Sequence, residues 1–568
     1  MMNTSLNLLA RERALASLPP QLVQQIEPVT FRSRGHLLII GPEDLGRLAA
    51  DRLPMMSSIT LLANGQISSQ DDLHLEQAFN AGQQAKLLYT PLVSLKGWMG
   101  QFELQVMTED QQPINPAQAL IGQPYFDLVL DLSAQPVLAV ELPPAGYFAR
   151  ALEAQAPIQA LLDQTLIEEL QSLQGEFDKP RYIQVNHDLC AHGDRGQVGC
   201  QRCLDVCPAD ALSSQAMPPY HDLTIQVEQS LCHGAGSCTT ACPTGALSWV
   251  QPQPATQLAR LRQLLTIYRE EGGEQAVVYF YAEDTPPDLA QLPAEVIPCA
   301  LEEAASVGME MWMALLTSGA RAVAIQLTPD TPPTLRALIE REVRLAGLLL
   351  EALGHPAQRI SWIEQQGEAP HAADWARLPP EQTTWEISDP YPWEGKRATL
   401  NAALERLYEQ AEAAQPVVAL PSGAPFGQVK LAEADCTLCM SCVSICPTQA
   451  LLGGQTTPEL YFNEGSCVQC GLCVAACPEK ALTLEARFVV APGERLEARL
   501  LKSEPPFHCI RCAKPFATQS AIHNIMKKLE AHPYFQGEAA QRLQMCEDCR
   551  VRDSYLELAR DPEAQLRL

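Results

Sequence analysis

The chain repeats one short phrase four times. Cys-Pro-x-x-Ala-Leu occurs at Cys207 to Leu212, Cys242 to Leu247, Cys446 to Leu451 and Cys477 to Leu482. A β-like segment precedes the first cysteine of each motif, at Ile183 to Val185, Ile225 to Val227, Val429 to Leu431 and Leu460 to Phe462. Strand, cysteine loop and Cys-Pro helix start therefore recur as one unit, in two tandem pairs.

Cysteine usage says what the unit is for. All but one of the 20 cysteines fall into tight groups that end in Cys-Pro or form Cys-x-x-Cys. A disulfide scaffold spreads cysteines through a short secreted chain, whereas close spacing serves metal binding. The exception, Cys299, sits in a strand-like run with no His/Asp partner pattern, and a buried core thiol is expected there.

The block at 429–486 is complete. Cys436, Cys439, Cys442 and Cys446-Pro447 follow C-x2-C-x2-C-x3-C-P, and Cys467, Cys470, Cys473 and Cys477-Pro478 repeat it. Two-residue gaps let one loop wrap three corners of an iron–sulfur cube, and the fourth cysteine reaches the neighbouring cluster. The expected ligand sets are Cys436, Cys439, Cys442 and Cys477 for one [4Fe–4S] cluster, and Cys467, Cys470, Cys473 and Cys446 for the other. The alternative, a pair of zinc sites, is not expected of a doubled eight-cysteine motif that carries both prolines.

The block at 183–250 departs twice. Nine residues separate Cys190 from Cys200, including His192, Gly193, Gly196 and Gly199. If this glycine-rich insertion loops out, Cys190, Cys200, Cys203 and Cys242 still complete a third [4Fe–4S] cluster. In the sister site Ala235 stands where a cysteine is expected, leaving Cys232, Cys238 and Cys207. A [3Fe–4S] cluster, a [4Fe–4S] cluster with His233, Ser237 or solvent on the odd iron, and an empty or labile site all fit this pattern.

A third block pairs Cys509-Ile-Arg-Cys512 with Cys546-Glu-Asp-Cys549 across 33 residues. Two such knuckles close a tetrahedral site, the signature of structural zinc. A fifth cluster and unmetallated thiols are the alternatives.

Elsewhere the chain alternates strand and helix texture. His36 to Ile40, Ile59 to Leu62 and Phe126 to Leu130 read as strands with a helix over 43–53; Ala276 to Phe280, Glu295 to Pro298 and Ala322 to Ile325 read as a second set. The turn Gly41-Pro42-Glu43-Asp44-Leu45-Gly46 lacks the G-x-G-x-x-G geometry, so dinucleotide binding is not expected at it. The expected fold class is α+β and α/β multidomain. It divides into an α/β domain without cysteine at 1–150, a degenerate dicluster module at 181–252, and an α/β domain at 255–368. A linker with a short helix follows at 369–425, then a complete dicluster module at 426–488 and a four-cysteine knuckle module at 505–555.

The net charge of −27 argues against nucleic acid and anionic membrane surfaces. No run of about 18 apolar residues is present, so membrane insertion is not expected. The amino terminus lacks a basic region followed by an apolar run, so the expected location is cytoplasmic.

The doubled cysteine motif resembles the bacterial two-[4Fe–4S] ferredoxin family over roughly 60 residues. That resemblance implies transfer of single electrons. The wider chain resembles large soluble 4Fe–4S proteins of bacteria, through Gln197-Val-Gly-Cys200-Gln-Arg-Cys203-Leu-Asp-Val-Cys207-Pro208 and Met545-Cys546-Glu-Asp-Cys549-Arg550. Some of these accompany formate dehydrogenases, which implies a redox protein partner of that kind. The segment 276–362 is similar to the small delta subunits that join hydrogenases to heterodisulfide reductases, without their cysteine array. No Walker A motif, flavin fingerprint or catalytic triad is present. The expected function is an iron–sulfur electron-transfer protein, more a non-catalytic component than an enzyme. The alternatives are an assembly or redox-sensing factor, or a catalytic subunit with an undetected cofactor.

Overall fold

The computed structural model describes residues 2–19, 26–65, 72–150, 162–193, 198–217, 222–367, 369–370, 372–379, 387, 391–411 and 414–560. Mixed α/β layers flank the cysteine modules. Continuous apolar runs such as Leu37 to Ile40 are buried on both faces, which is what a parallel sheet covered by helices requires.

The first such sheet has five parallel strands in the order Lys86–Leu88, Ser58–Ala63, His36–Gly41, Leu128–Asp131 and Tyr147–Ala149. The helix Glu43–Asp51 lies close over it because position 46 is glycine: a Cβ there would stand 2.3 Å from Leu61 Cδ1. This unit does not stop at residue 150. The strand Val29–Ser33 pairs antiparallel with Gly175–Lys179, and Leu166 and Leu170 of the helix Gln164–Ser172 enter the same core.

The second sheet carries parallel strands in the order Val296–Leu301, Val277–Ala282, Ala322–Leu327 and Ile360–Gln366, with Ala369–Pro370 antiparallel at its edge. Two elements join it from outside 255–368. The helix Met2–Ser17 buries Ala10 and Ala14 against Leu258, Leu261 and Leu265 of the helix Pro254–Glu270. Arg11 also donates to the carbonyls of Pro293 at 3.0 Å and Val296 at 3.2 Å. The helix Lys396–Glu409, expected within a linker, buries Leu400, Ala403, Leu404 and Leu407 in this core. Residues 371, 380–386, 388–390 and 412–413 of that expected linker lie outside the described residues.

Both cysteine modules share one topology. In the first, Ile183–Val185 pairs with Leu247–Trp249 and Leu212–Met217 pairs with Asp222–Val227. In the second, Gly427–Leu431 pairs with Leu482–Val489 and Leu451–Gly453 pairs with Glu459–Phe462. The first strand thus closes on the last and the middle two close on each other.

The Cys-Pro step does not start a helix, contrary to the expectation from the repeat. Short helical turns at Leu204–Val206, Ser237–Ala241, Ser441–Ile445 and Leu472–Ala475 precede it, and strands beginning at Leu212, Leu247, Leu451 and Leu482 follow it. Proline forces the residue before it out of the helical region. Cys207, Cys242 and Cys446 accordingly have ψ of 110°, 110° and 107°. Ala211, Ala246, Ala450 and Ala481, buried to 3% exposure or less, pack at the strand start.

Candidate metal centres

Three small cavities are each lined by four cysteines. One takes Cys436, Cys439, Cys442 and Cys477. A second takes Cys446, Cys467, Cys470 and Cys473. A third takes Cys190, Cys200, Cys203 and Cys242. In each, three cysteines come from one loop and the fourth is a Cys-Pro cysteine from the other half of the module.

Burial disfavours the thiolate at seven of these cysteines: Cys200, Cys203, Cys436, Cys442, Cys467, Cys470 and Cys473. Burial, then the neighbouring cysteines, pushes Cys442 up to about 12, and burial is the main cause that pushes Cys470 up to about 11. Cys203 and Cys473 are pushed up for the same reasons. Four thiolates facing one apolar cavity are stable only with a cationic core between them, and soft sulfur donors of this number suit an iron–sulfur core. The donor set therefore fits a cluster.

The backbone adds hydrogen bonds to sulfur. Ala211 N–H donates to Cys207 Sγ and Ala481 N–H to Cys477 Sγ, both at 3.3 Å. These bonds depend on a left-handed residue just before the alanine, and all four repeats have one: Asp210 (φ 52°), Gly245 (76°), Gln449 (52°) and Lys480 (51°). Only Gly245 announces this in the sequence; the other three accept a conformation that disfavours a side chain.

The insertion in the first module is closed at its neck. Cys200 N–H donates to Ala191 O at 2.8 Å and Gly199 N–H to His192 O at 2.6 Å, while residues 194–197 lie outside the described residues. His192, 1% exposed, pins the neck: Nδ1–H donates to Cys200 O at 2.8 Å, and Nε2 accepts from the Ser214 hydroxyl at 2.7 Å.

At the fourth position Cys207, Cys232 and Cys238 come together. Burial pushes Cys238 well up, and Cys232 and Cys207 are its strongest charged neighbours. Neither residue weighed as a substitute ligand is engaged with these sulfurs. The Ser237 hydroxyl donates to Val206 O at 2.7 Å, and His233 bonds the Pro143 carbonyl beside Lys179.

Three cations clasp the cysteine loops, each through the carbonyl of a loop's first cysteine. Lys179 donates to Cys232 O at 2.9 Å, Arg397 to Cys467 O at 2.9 Å, and Lys502 to Cys436 O. Burial lowers the Arg397 guanidinium to about 10, so it stays charged at neutral pH. A cation beside an anionic cluster favours the reduced state. Arg397→Met should therefore lower the midpoint of the Cys446/Cys467/Cys470/Cys473 centre by roughly 60 mV, the tenfold step of a one-electron couple. An EPR-monitored redox titration reads this directly, and an unchanged midpoint would refute the role.

In the C-terminal block the four sulfurs of Cys509, Cys512, Cys546 and Cys549 all lie within 4.8 Å of one another. A hairpin of Pro506–His508 with Pro515–Thr518 presents the first pair, and the helix Glu547–Arg560 starts between the second. Arg511 N–H donates to Cys509 Sγ at 3.4 Å, and Cys512 and Cys546 sulfurs are 3.6 Å apart. No other set of three or more metal-ligating side chains among the described residues closes this tightly.

Paired cysteine loops on a doubled antiparallel strand frame define metal-binding iron–sulfur domains of ferredoxin type. A family model for the 4Fe-4S dicluster domain matches residues 198–246 and again residues 435–481. The chain thus contains two ferredoxin-type dicluster domains, and [4Fe–4S] clusters are their cofactors. The second match spans all eight cysteines of its module, whereas the first leaves Cys190 outside. No curated protein matches the chain. No helix among the described residues is long and apolar enough to cross a membrane.

Proposed function

We propose that the protein is an electron carrier whose clusters form one continuous line through both dicluster domains. The observation that carries this reading is the contact between the domains. Gly199, next to Cys200, lies so close to Leu472 that a Cβ would stand 2.7 Å from Leu472 Cγ, and Cys200 is among the charges that act on Cys470. Within the second domain Cys442 acts on Cys473, and within the first Cys203 and Cys242 act on Cys238. The order along the line is then the Cys207/Cys232/Cys238 centre, the Cys190/Cys200/Cys203/Cys242 cluster, the Cys446/Cys467/Cys470/Cys473 cluster and the Cys436/Cys439/Cys442/Cys477 cluster.

The far end of the line carries the exposed Cys439 and is the exit for a redox protein partner. Formate dehydrogenase is the candidate suggested by the resemblance of the cysteine motifs. The C-terminal module docks on this end: the Thr518 hydroxyl donates to Thr437 O at 2.7 Å and Lys528 pairs with Glu479 at 2.9 Å. Its metal is zinc. Zinc–sulfur bonds of about 2.3 Å in a tetrahedron put the sulfurs about 3.8 Å apart, in keeping with the observed closeness. A cubane has its irons at separate corners and spreads its thiolates further.

Voltammetry of the full chain tests the reading. About four reversible one-electron couples are expected, and a protein without reversible couples would not be an electron carrier. The centre near Ala235 is a [3Fe–4S] cluster in this account. Ala235→Cys should convert it to an ordinary [4Fe–4S] centre and erase the oxidised three-iron EPR signal. Full iron content with no such signal in the unmodified protein would instead favour a non-cysteine ligand.

A further inference from the structure

A cavity of about 770 Å³ opens between the second α/β layer and the first dicluster domain. That volume lies in the range of sites that hold a whole small cofactor. It sits at the carboxyl ends of the parallel strands Val277–Ala282 and Val296–Leu301, touching Glu283 and Leu301. The crevice outside the carboxyl ends of the strands is where open parallel α/β sheets bind ligands.

One wall of the cavity is shared with the loop that lacks a cysteine. Tyr182, Trp249 and Ser306 line the cavity and also press on the glycines either side of Ala235. A Cβ on Gly234 would stand 2.8 Å from Tyr182 Cδ1, and one on Gly236 would stand 2.5 Å from Ser306 Cβ and 3.1 Å from Trp249 Cζ2. Lys179, another lining residue, donates to Cys232 O. A single layer of side chains therefore separates the cavity from the incompletely ligated centre.

The lining is chemically specific. Tyr182 and Trp249 form an edge-to-face pair with ring centroids 5.8 Å apart. Trp249 is 6% exposed and turns an aromatic edge to the cavity, its indole nitrogen being fully buried. Arg181 and Arg260 bring positive charge to the same cavity, which Lys179 and the carboxylates of Asp178, Glu283 and Glu302 also line.

We propose that this cavity binds a cofactor of the flavin mononucleotide class. The aromatic pair receives the conjugated ring, and the two arginines receive the phosphate. This goes beyond the electron-carrier reading, because it places a second kind of redox group at the inner end of the cluster line.

The test uses anaerobically purified full-length protein and FMN as the probe, with binding followed by quenching of flavin fluorescence. Ala300 lines the cavity from an exposed strand position, so Ala300→Trp fills the space with little risk to folding. Ala300→Trp and Arg181→Glu are each expected to weaken FMN binding at least tenfold, with the cluster absorbance unchanged. The proposal is overturned if FMN does not bind, if it binds Ala300→Trp as well as the unmodified protein, or if a soluble naphthoquinone competes it out at equal concentration. Each of these failures leaves the cluster couples in place, so they are distinct from failure of the electron-carrier reading.

Discussion

Cys470→Ala is expected to remove one cluster, about four irons per chain, and to stop electron flow between the two ends of the protein. Cys470 is the second-domain cysteine on which Cys200 acts, so in the proposed line its cluster bridges the domains. Without it the nearest remaining centres lie on opposite sides of the contact made by Gly199 and Leu472. A photosensitiser attached to the C-terminal module would inject electrons at the Cys439 end. Freeze-quench EPR would then follow their arrival at the Cys207/Cys232/Cys238 centre. Arrival in the unmodified protein and none in the variant is the expected pair of results. Undiminished arrival would mean that the clusters do not act in series.

Cys509→Ala is expected to lower zinc to near zero and to make the chain beyond residue 505 sensitive to protease. The reason is the size of the module's core. Its buried apolar cluster is only Cys509, Met545 and Cys546, with Phe516 and Cys549 packed against it. So small a core cannot hold a fold alone, whereas a structural zinc site contributes about 10–16 kcal/mol of binding free energy. The absorbance of the dicluster domains should barely change, since no ligand is shared with them. Loss of iron in proportion to one cluster would make the site a fifth iron–sulfur centre.

Much of the candidate site was legible because its ligands are local. Two-residue gaps and Cys-Pro endings are set within one loop, and apolar runs such as Val277 to Phe280 declare a buried strand directly. What escaped was non-local. Lys179, Arg397 and Lys502 reach their cysteine carbonyls from 53, 70 and 66 residues away, and nothing in their own neighbourhoods marks them. The helix Met2–Ser17 buries Asn7, Ala10, Arg11 and Ala14 while Leu6, Leu8 and Leu9 stay exposed, so no apolar face marks it; Lys396–Glu409 has such a face, but a face does not name the core that it enters. Reading the Cys-Pro step as a helix start failed for a local reason: the restriction that proline places on the preceding cysteine outweighed the analogy with an N-terminal proline.

The central claim is that both dicluster domains hold clusters arranged in one line. EPR of the fully reduced full-length protein tests it most directly. Neighbouring paramagnetic clusters broaden and split one another's signals. The account predicts such interaction spectra, and in Cys470→Ala the Cys436/Cys439/Cys442/Cys477 cluster becomes an isolated signal while the two centres of the first domain still interact. Sharp, non-interacting signals in the unmodified protein, or a Cys436/Cys439/Cys442/Cys477 signal that the variant leaves unchanged, would contradict it.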